Sequence, residues 1–145
     1  MVGAEFSGLW RRFRGKGGTE RDRVVVGVAA AFAHVTAANG VLERAEATRF
    51  VDVVRGSRLA AADDATAADL HDAFDELVQT LLARPAAGRS ECLRVLADFG
   101  FDAARSQIIW SATQAALVAD SALDAAERVA ESEIREALQI RPSRG

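Results

Sequence analysis

The order of apolar and polar positions divides this chain into helical segments. Val24–Leu42 contains no Lys, Arg, Asp or Glu, the pattern of a helix buried on every side. It breaks at Asn39-Gly40, where glycine suits a helix end that needs positive φ, and restarts with carboxylates at Glu43 and Glu46. The pattern predicts one helix from near Glu20 to about Ala38. A second covers roughly Glu43–Arg55, with Phe50, Val53 and Val54 inward and Gly56 as its stop. Ser57–Thr66 reads as a connector. From Thr66 on, Leu70, Phe74, Leu77, Val78, Leu81 and Leu82 fall at i, i+4, i+7, i+8, i+11 and i+12, one face of an amphipathic helix that Pro85 ends. The next helix is expected over Ala86–Phe99, with Gly100 as its C-cap. Asp102 is then the N-cap of Ala103–Ala119, with Ile108, Ala112, Ala115 and Ala119 on its apolar face. A last helix runs from Asp124 to about Leu138, ahead of a tail at 141–145.

A shorter segment precedes these. Phe6, Leu9, Trp10 and Phe13 sit at i, i+3, i+4 and i+7 among Arg11, Arg12, Arg14 and Lys16. Gly15, Gly17 and Gly18 then interrupt the pattern, so residues 1–19 form a basic aromatic helix on a Gly-rich joint. Two readings stand side by side. The helix docks its apolar face on the bundle, or residues 1–16 make peripheral contact with an anionic membrane, aromatic side chains in the headgroups and cations on the lipid.

The first apolar run has a counterpart. Ile108–Glu127 repeats its design 81 residues later, with Asn39 on Asp120, Leu42 on Leu123, Glu43 on Asp124, Ala45 on Ala126 and Glu46 on Glu127. Repeats fix architecture. The expected fold is all-α: a compact bundle of about seven helices built from two pseudo-repeated helix-turn-helix units, with residues 20–140 as the domain.

Composition agrees. Half of the 145 residues are apolar, Pro occurs twice and Tyr not at all, and the abundant alanine is the best helix former. One domain is expected at this length. The single Cys92 excludes an internal disulfide and fits a reducing compartment, so a cytoplasmic location is expected. The start lacks an apolar stretch of signal-peptide length before its charges. The 19 residues of Val24–Leu42 barely reach the length of a membrane span, and a buried central helix explains the same run. Net charge is −3, split as +3 over residues 1–23 (six basic, three acidic) and −6 over residues 24–145 (twelve basic, eighteen acidic). An acidic body argues against nucleic acid as a partner.

Candidate chemistry gathers at the two repeated turns. Asn39, Glu43 and Glu46 in the first, and Asp120, Asp124 and Glu127 in the second, offer oxygen at positions 1, 5 and 8. Positions 5 and 8 share a helix face. Converging carboxylate and amide oxygens suit a hard divalent cation such as Ca²⁺, Mg²⁺ or Mn²⁺. The alternative needs no metal: Asp124 and Glu127 form a capping box, and acids in a first turn complement the helix dipole. Neither turn is an EF-hand loop. His34, inside the apolar run, reads as a core histidine and His71 as solvent-facing. Cys92 shows no nucleophile–base spacing. Without a phosphate loop or nucleophile elbow, the expectation is that the protein is not an enzyme.

At these turns the sequence resembles the TerB-like family of tellurite-resistance proteins. That family carries an A-x-D-G-x-x-x-x-x-E signature at the ends of two apolar helices in an all-helical domain. The matches are Ala37-Ala38-Asn39-Gly40 with Glu46, and Val118-Ala119-Asp120-Ser121 with Glu127. The likeness extends over roughly residues 20–140, and the basic aromatic start looks like the family's leader. Asn39 stands in place of Asp in the first copy and Ser121 in place of Gly in the second. Losing one carboxylate removes a charge from a cation site. The resemblance implies a stress-response role in tellurite resistance, an acidic surface for cations, and association with an integral membrane partner at the inner face of the membrane. A purely structural helical adaptor that binds protein and no metal is the alternative.

Overall fold

Helices account for most of the described chain in the computed structural model, which covers residues 6, 8–10, 13, 20–38, 44–56, 67–118 and 125–140. They are α1 Glu20–Ala38, α2 Arg44–Gly56, α3 Ala67–Ala83, α4 Pro85–Ala97, α5 Ala103–Val118 and α6 Ala125–Ala137. Phe6, Gly8–Trp10 and Phe13 are helical as well, and no strand occurs among the described residues. The protein is an all-α bundle.

The charge-free run explains the centre. Every residue from Val24 to His34 is buried, because α1 packs against each of the other five helices. A helix surrounded in this way has no side left for a charge, and small side chains let its neighbours close in. Gly27 is one such close approach. A Cβ there would lie 2.5 Å from Ile109 Cδ1 and 2.9 Å from Phe99 Cε2. We expect Gly27→Val to destabilise the fold by about 1–3 kcal/mol through overpacking, measured as a lower urea midpoint. An unchanged midpoint would mean that α5 yields freely.

The outer helices each bury one stripe. α2 turns Ala47, Phe50, Val51 and Val54 inward and leaves Val53 half-buried. α3 buries Leu70, Ala73, Phe74, Leu77, Val78 and Leu81, the face its periodicity predicts. Pro85 does more than stop α3: it is the first residue of α4, where its fixed φ fits and no N–H is required. α5 differs from expectation. Ile108 is 44% exposed, whereas Ser106, Ile109, Ala112 and Thr113 are buried. The two hydroxyls are satisfied locally: Ser106 Oγ donates to the Phe99 carbonyl at 2.6 Å and Thr113 Oγ1 to that of Ile109 at 2.8 Å. Asp102 caps α5 as expected, accepting the Arg105 amide at 3.0 Å. That bond, with the Arg105 guanidinium, holds its carboxyl below the usual range. After α6, Gln139 takes φ 56°, Gln139 N–H bonds the Glu136 carbonyl and Ile140 N–H that of Arg135, the Schellman pattern that closes a helix.

The N-terminal aromatic residues are docked. Phe6, Leu9, Trp10 and Phe13 are all buried. Trp10 Nε1–H donates to Glu91 Oε1 at 2.9 Å, and Phe13 meets Phe50 edge-on at 5.7 Å between ring centroids. Glu91 also accepts from Arg94, at 3.1 Å to Nε. The guanidinium holds the Glu91 carboxyl below its ordinary range against the upward push of burial, and Trp10 adds to the effect. Of the two readings of this segment, the apolar face follows the docking one.

Candidate functional site

α1 ends, α3 ends, α4 begins and α6 begins around one pocket of about 640 Å³. Its walls are Ala37, Ala38, Leu81, Leu82, Pro85, Ala126 and Val129, and its polar groups are His34, Arg89 and Glu133. The volume falls within the usual ~300–1,000 Å³ of small-ligand sites. Each wall follows from local sequence. The alanines at the end of α1 leave space where larger side chains would fill it. Leu81 and Leu82 continue the amphipathic stripe of α3 to its last turn. Val129 stands 57% exposed on the first turns of α6.

The polar groups form one chain of contacts across three helices. His34 Nε2 lies 3.2 Å from Glu133 Oε1, and Arg89 Nη2 donates to Glu133 Oε2. His34 is buried, at 5% exposure. Burial pushes its imidazole down to about 4, and the Arg89 guanidinium adds to the fall. A carboxylate neighbour alone would raise a histidine. Here the same carboxylate is paired with Arg89, so its charge is largely cancelled as seen from the ring. His34 is therefore neutral at pH 7 and donates Nε2–H to Glu133. Both Glu133 oxygens are occupied, and Arg89 is the more exposed of the pair (side-chain exposures of 60% and 18%).

The six sequence-derived site residues are placed only in part. Glu127 lies in the first turn of α6 and is buried. Glu46 lies in the first turn of α2, and its side chain is outside the described residues. Asn39, Glu43, Asp120 and Asp124 are outside the described residues altogether. The flanking residues are described, and the structure brings them together: Ala38, directly before Asn39, and Ala126, shortly after Asp124, line the same pocket. Periodicity gave no hint of the His34–Glu133–Arg89 contacts, which join separate helices.

A second group of cation-binding types sits elsewhere. His71, Asp72 and Asp75 on α3 have ligand atoms within 4.8 Å of one another, and His71 Nδ1 is 3.1 Å from Asp75 Oδ2. The i, i+4 spacing of His71 and Asp75 is the signal that could have found this pair. His71 is half-buried rather than fully solvent-facing. Cys92 is fully buried, deeper than its polar neighbours suggest, and burial pushes its thiol well above the ordinary range. Among the described residues, no helix is long and apolar enough to cross a membrane. In comparisons with family models, curated proteins and solved structures, nothing matches the chain.

Proposed function

We propose that this chain is a non-enzymatic stress-response module of the TerB-like kind, working at the end of the bundle where α1 stops and α6 starts. One observation carries the reading: Ala38, directly before Asn39, and Ala126, between Asp124 and Glu127, line one pocket. The two pseudo-repeated halves then present Asn39, Glu43, Glu46, Asp120, Asp124 and Glu127 together. These side chains hold a divalent cation such as Ca²⁺, Mg²⁺ or Mn²⁺, or form a charged patch on which an integral membrane protein of the resistance system docks. Contact of residues 1–16 with an anionic membrane rests on Arg11, Arg12, Arg14 and Lys16, because the aromatic face is buried in the bundle. The buried groups favour binding over chemistry. A histidine at about 4 is a poor base at neutral pH, and the Cys92 thiol, raised by burial, is a poor nucleophile.

The test is thermal unfolding in EDTA and then with Ca²⁺, Mg²⁺ or Mn²⁺, with Asp120→Asn and Glu127→Gln beside the wild type. A cation at about 100 times its Kd should add about 2.7 kcal/mol, and both variants should lose the gain. The second reading, a protein adaptor without metal, is favoured by the exposed Val129 beside an apolar pocket. It prevails if no cation raises the melting point and both variants melt below the wild type in EDTA, because the carboxylates then act as helix caps.

A further inference from the structure

α5 is out of keeping with the other outer helices. α2 exposes Asp52 and Arg55, α3 Asp72 and Glu76, α4 Arg89 and Arg94, and α6 Arg128 and Glu136. Among the described residues of α5 the exposed ones are Ala103, Ala104, Gln107, Ile108 and Ser111, with no charge among them. From Ser106 to Val118 the helix carries no Lys, Arg, Asp or Glu at all. A helix uncharged on every side is expected to be surrounded, as α1 is, yet α5 packs chiefly on α1 and α2. Phe101, in the turn before it, is 94% exposed and Ile108 44%. The exposed positions also have an order. Phe101, Ala104, Ile108 and Ser111 follow at steps of three, four and three, and Ala115 and Val118 continue the series in sequence by four and three. That is the spacing of a seam between two paired helices. Its four described members are all exposed, so no described element of the chain fills it.

We propose that this face pairs with a second copy of the chain, α5 against α5 in an antiparallel two-fold dimer. The steps three, four, three, four and three read the same in both directions. Two copies laid antiparallel therefore match position for position: 101 against 118, 104 against 115, 108 against 111. Bulky Ile108 meets small Ser111, and the alanine positions let the backbones close in. A two-fold interface sets one patch against itself, so a charged patch would meet its own charge. This seam has none, and Arg105 beside it pairs with Asp102 of its own chain. An anionic membrane finds no cation along the seam to hold it. A 16-residue helix is about 24 Å long and about 10 Å across, so two such faces bury roughly 800–1,000 Å², the low end for specific association. The dimer should therefore dissociate on dilution. None of the described residues of α5 lines the pocket, so the inference does not depend on the cation reading, and measurements in EDTA keep the two apart.

Sedimentation velocity of the full chain, in EDTA and a reducing agent, tests it. The mean mass should rise with concentration from that of the 15.4 kDa chain towards twice it, half-way at roughly tens of micromolar. Phe101→Ser and Ile108→Glu alter exposed side chains. Both should keep the circular dichroism of the wild type and weaken the association about tenfold or more. Ser111→Lys, also at an exposed position, should do the same by itself. Mixing the Ile108→Glu and Ser111→Lys chains is the decisive arm, because the register sets position 108 of one copy against 111 of the other. The mixture should associate about tenfold or more tightly than either variant alone. A wild type that stays monomeric up to about 1 mM, a dimer that ignores these substitutions, or a mixture no tighter than its components would overturn the proposal. A monomer that sediments with vesicles through Phe101 and Ile108 would overturn it too, and assign the face to a membrane.

Discussion

Phe50→Ala should cost the fold about 3–5 kcal/mol, a large share of the roughly 5–15 kcal/mol by which a domain of this kind is stable. Phe50 is fully buried and joins four parts of the chain. Its ring stacks on Phe74 of α3 at 4.9 Å, meets Phe32 of α1 at 5.8 Å, and takes the edge of Phe13 from the N-terminal segment at 5.7 Å. Truncation removes a large apolar volume and three ring contacts, each worth about 0.5–1.5 kcal/mol beyond area. The neighbours belong to separate helices and cannot all collapse into the gap. Phe50→Leu, which keeps most of the volume, should cost less than half as much. Urea unfolding measures both. A loss below about 1 kcal/mol for the alanine variant would show that the aromatic cluster does not join these elements.

Acidification should destabilise the protein through His34. Its folded-state pKa of about 4 lies below the ordinary 6.5, so as pH falls the unfolded chain takes up the proton first. The stability His34 contributes is complete above pH 6.5 and is lost progressively towards pH 4. At about 1.36 kcal/mol per unit the loss approaches about 3 kcal/mol. Carboxylates lose stability over part of the same window, so the informative quantity is the difference from His34→Gln. Glutamine can still donate to Glu133 but does not titrate. The variant should show a flatter profile between pH 6.5 and 4, and parallel profiles would mean that the imidazole is hydrated in the folded state. Among the described residues, Arg89 and Glu133 are the charged groups that contact this ring or act on it. Arg89→Gln should therefore steepen the carboxylate's hold on the ring and raise the midpoint of the His34 titration.

The elements legible in sequence are those whose burial contrast is strong. α1 spans Glu20–Ala38, as the charge-free run requires, and the stripe of α3 needs no correction. α5 departs from the hydrophobic pattern because its inward face mixes Ile109 with small and hydroxylated residues. Ser106 and Thr113 bury themselves by bonding carbonyls of their own neighbourhood, which no hydrophobic pattern records, so the pattern favours Ile108 over Ile109 for the inside. Pro85 reads equally as an end and as a beginning, since proline satisfies both conditions. Glu91 illustrates a broader limit. Its carboxylate is buried because Trp10, 81 residues away, and Arg94 satisfy it together, and sequence spacing shows only the second.

The candidate site divides along the same line. The two oxygen-rich turns align with each other in sequence, and most of their residues lie outside the described ones. Of the described neighbours, Ala38, before Asn39, and Ala126, between Asp124 and Glu127, line one pocket. The polar floor of that pocket was not legible. His34 read as a core histidine, and it is one, but its partners come from α4 and α6. Three helices must pack before those groups converge.

The most direct test of a cation at the paired turns is a Mn²⁺ titration followed by NMR, because the paramagnetic ion broadens amides near it. The expected result is that the amides of Ala38 and Ala126 broaden together, at one Mn²⁺ concentration, and recover with EDTA, while those of His71, Asp72 and Asp75 persist. Broadening confined to the His71–Asp75 stretch, or none at either flank, would contradict it.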